Sequence, residues 1–163
     1  MMSKAVMLSI RPKWVEKIAN GEKTIEVRKT RPKLAPPFKA YIYCTMPKYP
    51  HEDFILTDYP KPQFYGGGKV IGEFTCDQFW IGTPHNTNPL FCMAACMDGF
   101  DTEKYAKGKT LYGWHISDLR IYDTPKELSE FTGLRDTKFG AAPYEIKRPP
   151  QSWCYVEGLK LNA

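Results

Sequence analysis

The feature that most restricts how this chain can fold is a stretch near its start, Gly21 to Arg28 (GEKTIEVR), which holds four charged residues. Ile25 and Val27 alternate with Thr24, Glu26 and Arg28, which predicts a strand with one apolar face and one charged face. Because Glu26 and Arg28 are two residues apart on the same face, we expect their side chains to meet. Lys23 is out of phase with this face, so we place it at the strand entry, after a turn at Asn20-Gly21.

Positive charge is concentrated at the start of the chain. Residues 1–39 contain ten Lys or Arg and three Glu, a net charge of +7, so the other 124 residues sum to −2 within the total of +5. A positive field at one end of a domain attracts polyanions, of which nucleic acid is the commonest. The alternative is a solvated, lysine-rich surface.

Length and composition predict a single domain over residues 1–163. The 42% hydrophobic and 14% aromatic content is sufficient for one packed core. No run approaches the roughly 18 apolar residues that a membrane helix needs. The first ten residues lack a cleavage signature, so we predict a cytoplasmic protein that does not bind membranes.

Periodicity predicts an α+β protein with five to six strands and short peripheral helices. This pattern favours a small mixed β-barrel over a sandwich or a doubly wound sheet. The predicted strands are 5–10, 24–28, 38–45, 69–80, 111–122 and 152–161, and the predicted helices are 11–20, 90–97, 102–106 and 125–131. A long loop, Met46 to Gly68, includes Pro60 and Pro62 and is expected to be a functional flap. Residues 132–150 are predicted to be a polar loop.

The five cysteines are scattered and odd in number, which favours reduced, structural thiols. Cys92 and Cys96 are four residues apart and share one helix face. Possible metal partners for them are His51, His85 and His115. Zinc sites usually contain a second closely spaced pair, and this sequence has none. We therefore predict no metal and no cofactor.

Several side chains fit the recognition of nucleic acid. Lys23 and Arg28 are cationic donors for phosphate, and Glu26 is an acceptor for the amino edge of cytosine or guanine. The candidates for base stacking are Trp14, Trp114, Trp153 and Tyr155. Core packing is the alternative for each aromatic residue, and a structural ion pair is the alternative for Glu26 and Arg28.

The opening of the chain resembles that of ASCH-domain proteins, whose pattern is a strand, a short helix and a Gly-x-Lys-x-x-Glu-x-Arg strand. The residues that carry the likeness are Ser9-Ile10-Arg11-Pro12-Lys13, Ile18 and Gly21 to Arg28. Later segments that are also similar are Gly72-Glu73, Tyr112 to Ile116 and Pro150 to Tyr155. The resemblance implies a PUA-like β-barrel with a cleft beside the first helix, and insertions at about 46–66 and 83–107.

The resemblance also implies a function in RNA biology. Members of the family are thought to bind RNA; one branch deacetylates N4-acetylated cytidine, and others are reported to cleave RNA. Lys23 matches the lysine of the deacetylating branch. The position of that branch's threonine nucleophile is Glu26 here, which has no hydroxyl to act in that way.

Three hypotheses follow. The first is a module that binds RNA or a modified nucleotide, as a monomer or weak dimer. Its predicted contacts are Ser9, Arg11, Lys13, Trp14, Lys23, Glu26, Arg28, Trp114, Trp153 and Tyr155. The second is a hydrolase with Lys23 as acid or base and Glu26 as its partner, although a lysine beside a glutamate is expected to stay charged, which favours binding. The third is a protein-interaction adaptor, with no partner specified.

Overall fold

The computed structural model describes residues 3–56, 64–83 and 88–160. In this part of the chain there are ten strands and three α-helices. The strands are β1 (Lys4–Ile10), β2 (Ile25–Arg28), β3 (Phe38–Cys44), β4 (Ile55–Leu56), β5 (Phe64–Tyr65), β6 (Lys69–Gly82), β7 (Leu111–Lys126), β8 (Thr132–Thr137), β9 (Gly140–Glu145) and β10 (Trp153–Glu157). The helices are α1 (Pro12–Ala19), α2 (Pro89–Ala95) and α3 (Gly99–Ala106). The predictions for Pro60, Pro62, His85 and the end of the last strand at residue 161 lie outside the described residues.

The chain divides into two compact units. The first unit comprises Met1–Glu16, Lys39–Phe74 and Arg120–Ala163, and the second comprises Lys17–Phe38 and Thr75–Leu119. The long strands β6 and β7 each contribute residues to both units.

In the first unit the strand order is β7-β6-β3-β1-β10-β8-β9. Strand β1 runs parallel to β3, with Leu8 opposite Ile42, and antiparallel to β10, with Leu8 opposite Trp153. The run Ala5 to Leu8 is buried throughout. A strand with a neighbour on each side and both faces covered has a continuous apolar sequence, and β1 follows this rule.

The core of the first unit is rich in tyrosine. The Tyr41 and Phe131 rings meet edge to face with centroids 4.9 Å apart. The Tyr41 hydroxyl accepts a hydrogen bond of 2.8 Å from the amide of Leu159, which fixes the segment after β10. The buried members of this core are Ala5, Met7, Tyr41, Tyr43, Val70, Tyr122, Phe131, Ile146 and Val156.

In the second unit β2 is antiparallel to β7, with Glu26 opposite Trp114, and the strand order is β2-β7-β6. The apolar face of β2 packs against both helices of this unit, which confirms the face predicted from its alternation. The buried members of this core are Ile25, Val27, Phe91, Ala95, Ala106 and Leu111.

Both helices of the second unit begin at side-chain caps. The Asn88 side chain accepts from the amide of Leu90 at 2.9 Å, and Pro89 occupies the first turn of α2. At the start of α3, the Asp98 carboxylate accepts from the amide of Asp101 at 2.7 Å. Each cap satisfies an amide that the helix itself leaves without a partner. None of the helices in the described ranges has the length and apolar character to cross a membrane.

The predicted strand count and the closed barrel are wrong. Ten strands occur instead of five or six, and no closed barrel is detected in the described part of the chain. Part of the excess comes from 132–150, where β8 and β9 form a hairpin in place of a polar loop. The Thr137 hydroxyl donates to the carbonyl of Gly140 at 2.7 Å and closes the turn.

The predicted helix at 125–131 is also wrong. Residues up to Lys126 continue β7, and only a short 3-10 turn, Leu128–Glu130, follows. A capping box at this turn joins Glu127 to Glu130.

Gly72 permits the close approach of β6 and β7 in the first unit. A Cβ atom at this position would lie 2.6 Å from the carbonyl oxygen of Arg120. We expect Gly72→Ala to lower the free energy of unfolding by about 1–3 kcal/mol, because the backbone of β7 must move. Gln78→Ala, at an exposed position on the same strand, should change it by less than about 0.5 kcal/mol. Urea denaturation measures both changes, and equal effects of the two substitutions would contradict a close approach of β6 and β7 at Gly72.

Cys44 and Cys76 are expected to resist alkylation. Burial raises the pKa of each thiol to about 12. Since the thiolate is the nucleophile, both should stay unreactive toward iodoacetamide at about pH 8 in the folded protein. The half-buried Cys92 and Cys96 should react first. Mass spectrometry of timed samples measures this order, urea should abolish it, and faster labelling of Cys44 or Cys76 would refute it.

Candidate functional site

Backbone hydrogen bonds after α1 place Lys23 at the entry to β2, as predicted. Gly21 has a φ of 86°, a left-handed conformation that glycine adopts without strain. Its amide donates to the carbonyl of Ile18 at 3.1 Å, and the amide of Lys23 donates to the carbonyl of Lys17 at 2.9 Å. The chain thereby turns sharply from the helix into the strand.

The Lys23 side chain ends at the C-terminus of α2. Only 2% of the residue is exposed. Its Nζ donates to the carbonyl of Ala95 at 2.6 Å, and the amide of Thr24 donates to the carbonyl of Ala94 at 2.8 Å. The last carbonyls of a helix lack partners within the helix and carry partial negative charge. Lys23 therefore stabilises the end of α2.

Glu26 and Arg28 meet, as their spacing predicts. Arg28 Nε lies 3.8 Å from Glu26 Oε1, and the side chains are 11% and 8% exposed respectively. The second carboxylate oxygen, Glu26 Oε2, is buried and has no hydrogen-bond partner among the residues that the structure describes. The strand thus holds a carboxylate with one oxygen unused.

Burial dominates the protonation of Lys23. It lowers the pKa of the ammonium, while the Glu26 carboxylate raises it by less, and Arg28 and Lys17 lower it further. The Glu26 carboxylate therefore does not raise the pKa of Lys23 above its ordinary value, because the loss of solvation outweighs the attraction of the carboxylate.

Trp114 is part of the core and offers no face to a ligand. Its ring is fully buried and meets those of Phe38 and Phe79 edge to face, with centroids 5.8 and 5.5 Å away. Its indole nitrogen donates to the carbonyl of Thr30 at 3.4 Å. The prediction of base stacking on Trp114 is thus corrected to core packing, since a base cannot reach the ring in this arrangement.

The other predicted contacts belong to the first unit. These residues are Ser9, Arg11, Lys13, Trp14, Trp153 and Tyr155. The Ser9 hydroxyl donates to the carbonyl of Pro150 at 2.6 Å, close to the start of β10. The half-buried Trp153 and Tyr155 rings meet edge to face at 5.3 Å.

Near the start of α1, Lys13 Nζ lies 4.5 Å above the Trp14 ring. The carbonyl of Arg11 accepts from the amides of Trp14 and Val15, so Arg11 acts through its backbone at the start of this helix.

Sequence reasoning missed a set of cation–aromatic contacts beside the motif. Lys29 Nζ lies 4.8 Å above the Tyr105 ring. The Arg31 guanidinium lies 5.7 Å from the Phe79 centroid and 5.3 Å from that of Tyr112. The basic composition of residues 29–33 was visible in the sequence. Its aromatic partners come from distant segments, and only the strand register places them there.

Cys92 and His115, two of the candidates for metal binding, have other contacts. Cys92 Sγ lies 3.7 Å from Thr102 Oγ1, and His115 Nδ1 lies 2.7 Å from Asp77 Oδ1. Within the described ranges, no three His, Cys, Asp or Glu residues form a group that could hold a metal ion.

Comparison with known proteins agrees with this architecture. Residues 8–73 match the model of the ASCH domain. A tyrosine-to-phenylalanine mutant of an ASCH protein from Zymomonas mobilis has 17% identity and a TM-score of 0.57, over 93% of this chain and 88% of that chain. The ASCH protein itself has 20% identity and a TM-score of 0.52, over 93% and 86%.

At these identities the likeness to the solved structures concerns the fold alone. A comparison with curated proteins finds no match. The matched residues include the last three residues of β1, α1, the whole charged motif and Glu73. Residues 8–73 therefore match the ASCH domain that the opening residues predicted, and the fold is similar to that of the ASCH protein from Zymomonas mobilis.

Proposed function

We propose that the second unit binds RNA or a modified nucleotide at the charged motif. The observation that carries this proposal is the unused oxygen of Glu26. A buried polar group without a hydrogen bond costs about 1–3 kcal/mol, and more if it is charged. The amino group of a cytosine, adenine or guanine base is a donor that would satisfy this oxygen.

The charge of the surrounding segment suits a phosphate backbone. Residues 17–33 contain six Lys or Arg against Glu22 and Glu26, a net charge of +4. Arg28 is one of these cations, and its planar guanidinium can grip two phosphate oxygens together. Lys29 and Arg31 extend the positive surface beyond the end of β2.

Aromatic rings support the same function. Proteins that bind single-stranded nucleic acid combine cations for the backbone with aromatic faces for the bases. Tyr105, Phe79 and Tyr112 are half-buried and lie under Lys29 and Arg31. In the first unit, Ser9, Arg11, Lys13, Trp14, Trp153 and Tyr155 remain predicted contacts, each open to test by its own substitution.

A hydrolase is the second candidate, and the lowered pKa of Lys23 favours it. A lysine serves as acid or base when its pKa lies near the working pH, and burial moves Lys23 in that direction. Glu26 would then polarise or orient the substrate. The substrate would be RNA or a modified nucleoside such as acetylcytidine.

The binding proposal predicts that Arg28→Gln weakens binding of short single-stranded RNA by about tenfold, since a charge-assisted contact is lost. The salt dependence of the affinity should also become shallower by about one unit. The matched control is Lys104→Gln, which removes an exposed cation from α3 in the same unit. Fluorescence anisotropy at several salt concentrations measures both quantities.

The outcomes separate the three hypotheses. Salt-sensitive binding without turnover supports the module, and turnover of an acetylcytidine-containing RNA that Lys23→Ala and Glu26→Gln abolish supports the hydrolase. If the folded protein has no affinity for RNA at low salt, both the binding module and the hydrolase are contradicted, and the protein-interaction adaptor is the remaining hypothesis.

The hydrolase candidate depends on the protonation of Lys23, which can be measured through stability. A lysine with a lowered pKa in the folded state binds fewer protons there than in the unfolded chain. The free energy of unfolding should therefore rise with pH between the lowered pKa and the ordinary 10.5. The Lys23→Met variant lacks this pH-dependent contribution. The free energy of unfolding of the wild type should therefore rise relative to that of the variant over this pH range. Parallel pH profiles in urea denaturation would show that the pKa of Lys23 is not lowered.

A further inference from the structure

A second candidate binding site lies within the first unit. A pocket of about 590 Å³ opens where β3, β6, the end of β7 and the segment after β10 meet. Small-molecule sites commonly enclose roughly 300–1,000 Å³. Its charged lining residues are Lys39, Glu73, Arg120, Asp123, Lys126 and Lys160. None of these residues belongs to the charged motif of β2.

Hydrogen bonds fix one wall of this pocket. Glu73 accepts from Lys39 Nζ at 2.5 Å through Oε2 and from the Tyr122 hydroxyl at 2.9 Å through Oε1. Burial raises the pKa of Glu73, but the hydrogen bonds from Lys39 and Tyr122 outweigh it and leave the pKa below its ordinary value. Glu73 is therefore ionised at neutral pH, and Lys39 balances its charge.

Two of the remaining cations, Arg120 and Lys126, lie beside the Tyr122 ring. Arg120 lies 6.0 Å and Lys126 lies 5.3 Å from the centroid of the Tyr122 ring. Among the described residues, neither side chain forms a salt bridge within 4.0 Å. The aromatic ring lies beside both cations, and Arg120 also attracts the Glu73 carboxylate.

The charge balance indicates the class of ligand. Four cations and two carboxylates give the lining a net charge of +2. A phosphate monoester carries about −1.5 to −2 at neutral pH and presents three acceptor oxygens. A monocarboxylate offers one charge and two oxygens, and so matches the pocket less well.

We propose that this pocket binds a small phosphate monoester, with Arg120 and Lys126 as its principal donors and Lys160 as a further cation. Glu73 and Tyr122 shape the wall against which the ligand rests. The site is independent of the RNA-binding proposal, because none of its lining residues is a predicted RNA contact.

The test is calorimetric titration of the full chain with inorganic phosphate, glycerol 3-phosphate and acetate. Arg120→Gln and Lys126→Gln should each weaken binding of the phosphate compounds by about tenfold. The first unit supplies matched controls, since Arg135 lies over the Tyr144 ring at 4.7 Å and Lys138 lies over that of Phe139 at 5.2 Å. Arg135→Gln and Lys138→Gln remove the same charges outside the pocket and should leave binding within about twofold.

Three results would overturn the proposal: no binding of either phosphate compound, equal losses in the pocket variants and the controls, or acetate binding as tightly as phosphate. Thermal unfolding of each variant checks that the fold is kept. RNA affinity provides a separate readout, because Arg120→Gln should change it no more than Arg135→Gln does. A failure of RNA binding would therefore leave the phosphate result interpretable.

Discussion

The second unit depends on a lysine ammonium that is buried against the end of a helix. Removing such a group from water costs several kcal/mol unless strong hydrogen bonds replace its hydration. Lys23 recovers part of this cost through the carbonyl of Ala95 and through attraction to Glu26. The contact also fixes the end of α2, whose Phe91 and Ala95 complete the core beneath β2. The contact between Lys23 and α2 therefore contributes both to the hydrophobic packing of this unit and to the placement of its charges.

Glu73 and Glu26 illustrate different uses of a carboxylate. Glu73 has a donor for each oxygen, Lys39 for one and Tyr122 for the other. Glu26 has Arg28 near one oxygen at 3.8 Å, and its other oxygen has no hydrogen bond within the described residues. A satisfied carboxylate stabilises its surroundings, whereas an unsatisfied one costs free energy that a functional role can explain. This contrast supports a structural role for Glu73 in the wall of the pocket and the proposed role of Glu26 as a hydrogen-bond acceptor for a ligand.

Local patterns predicted most elements but not their pairing. The alternation around Glu26 and the turn before Lys23 were sufficient to place β2 and its charged side chains. The hairpin of β8 and β9 was missed because β8 is mostly polar, β9 begins with small residues and a proline, and much of both strands is exposed. Neither strand therefore shows the apolar alternation on which strand prediction relies. The barrel was inferred from strand number, which does not specify whether a sheet closes. Closure depends on which strands pair, and that information is not local.

The properties of some candidate site residues depend on tertiary contacts that the sequence does not show. Trp114 lies opposite Glu26 in the register, and the sequence alone could not indicate that Phe38 and Phe79 enclose its ring. The direction of the Lys23 pKa shift also depends on packing. The nearby Glu26 is visible in the sequence, whereas the burial that outweighs it comes from packing against α2.

Residues 88–107, which lie within a segment predicted to be an insertion, contribute to the candidate site. Their helix α2 supplies the carbonyl that accepts from Lys23, and Tyr105 of α3 lies beneath Lys29. A chain of this kind without the segment would leave the lysine ammonium closer to water, with a pKa nearer its ordinary value. It would also lose an aromatic face beside the basic connection. The protonation of the motif lysine is therefore set by a segment outside the motif, so the same eight residues can have different chemistry in chains that differ there.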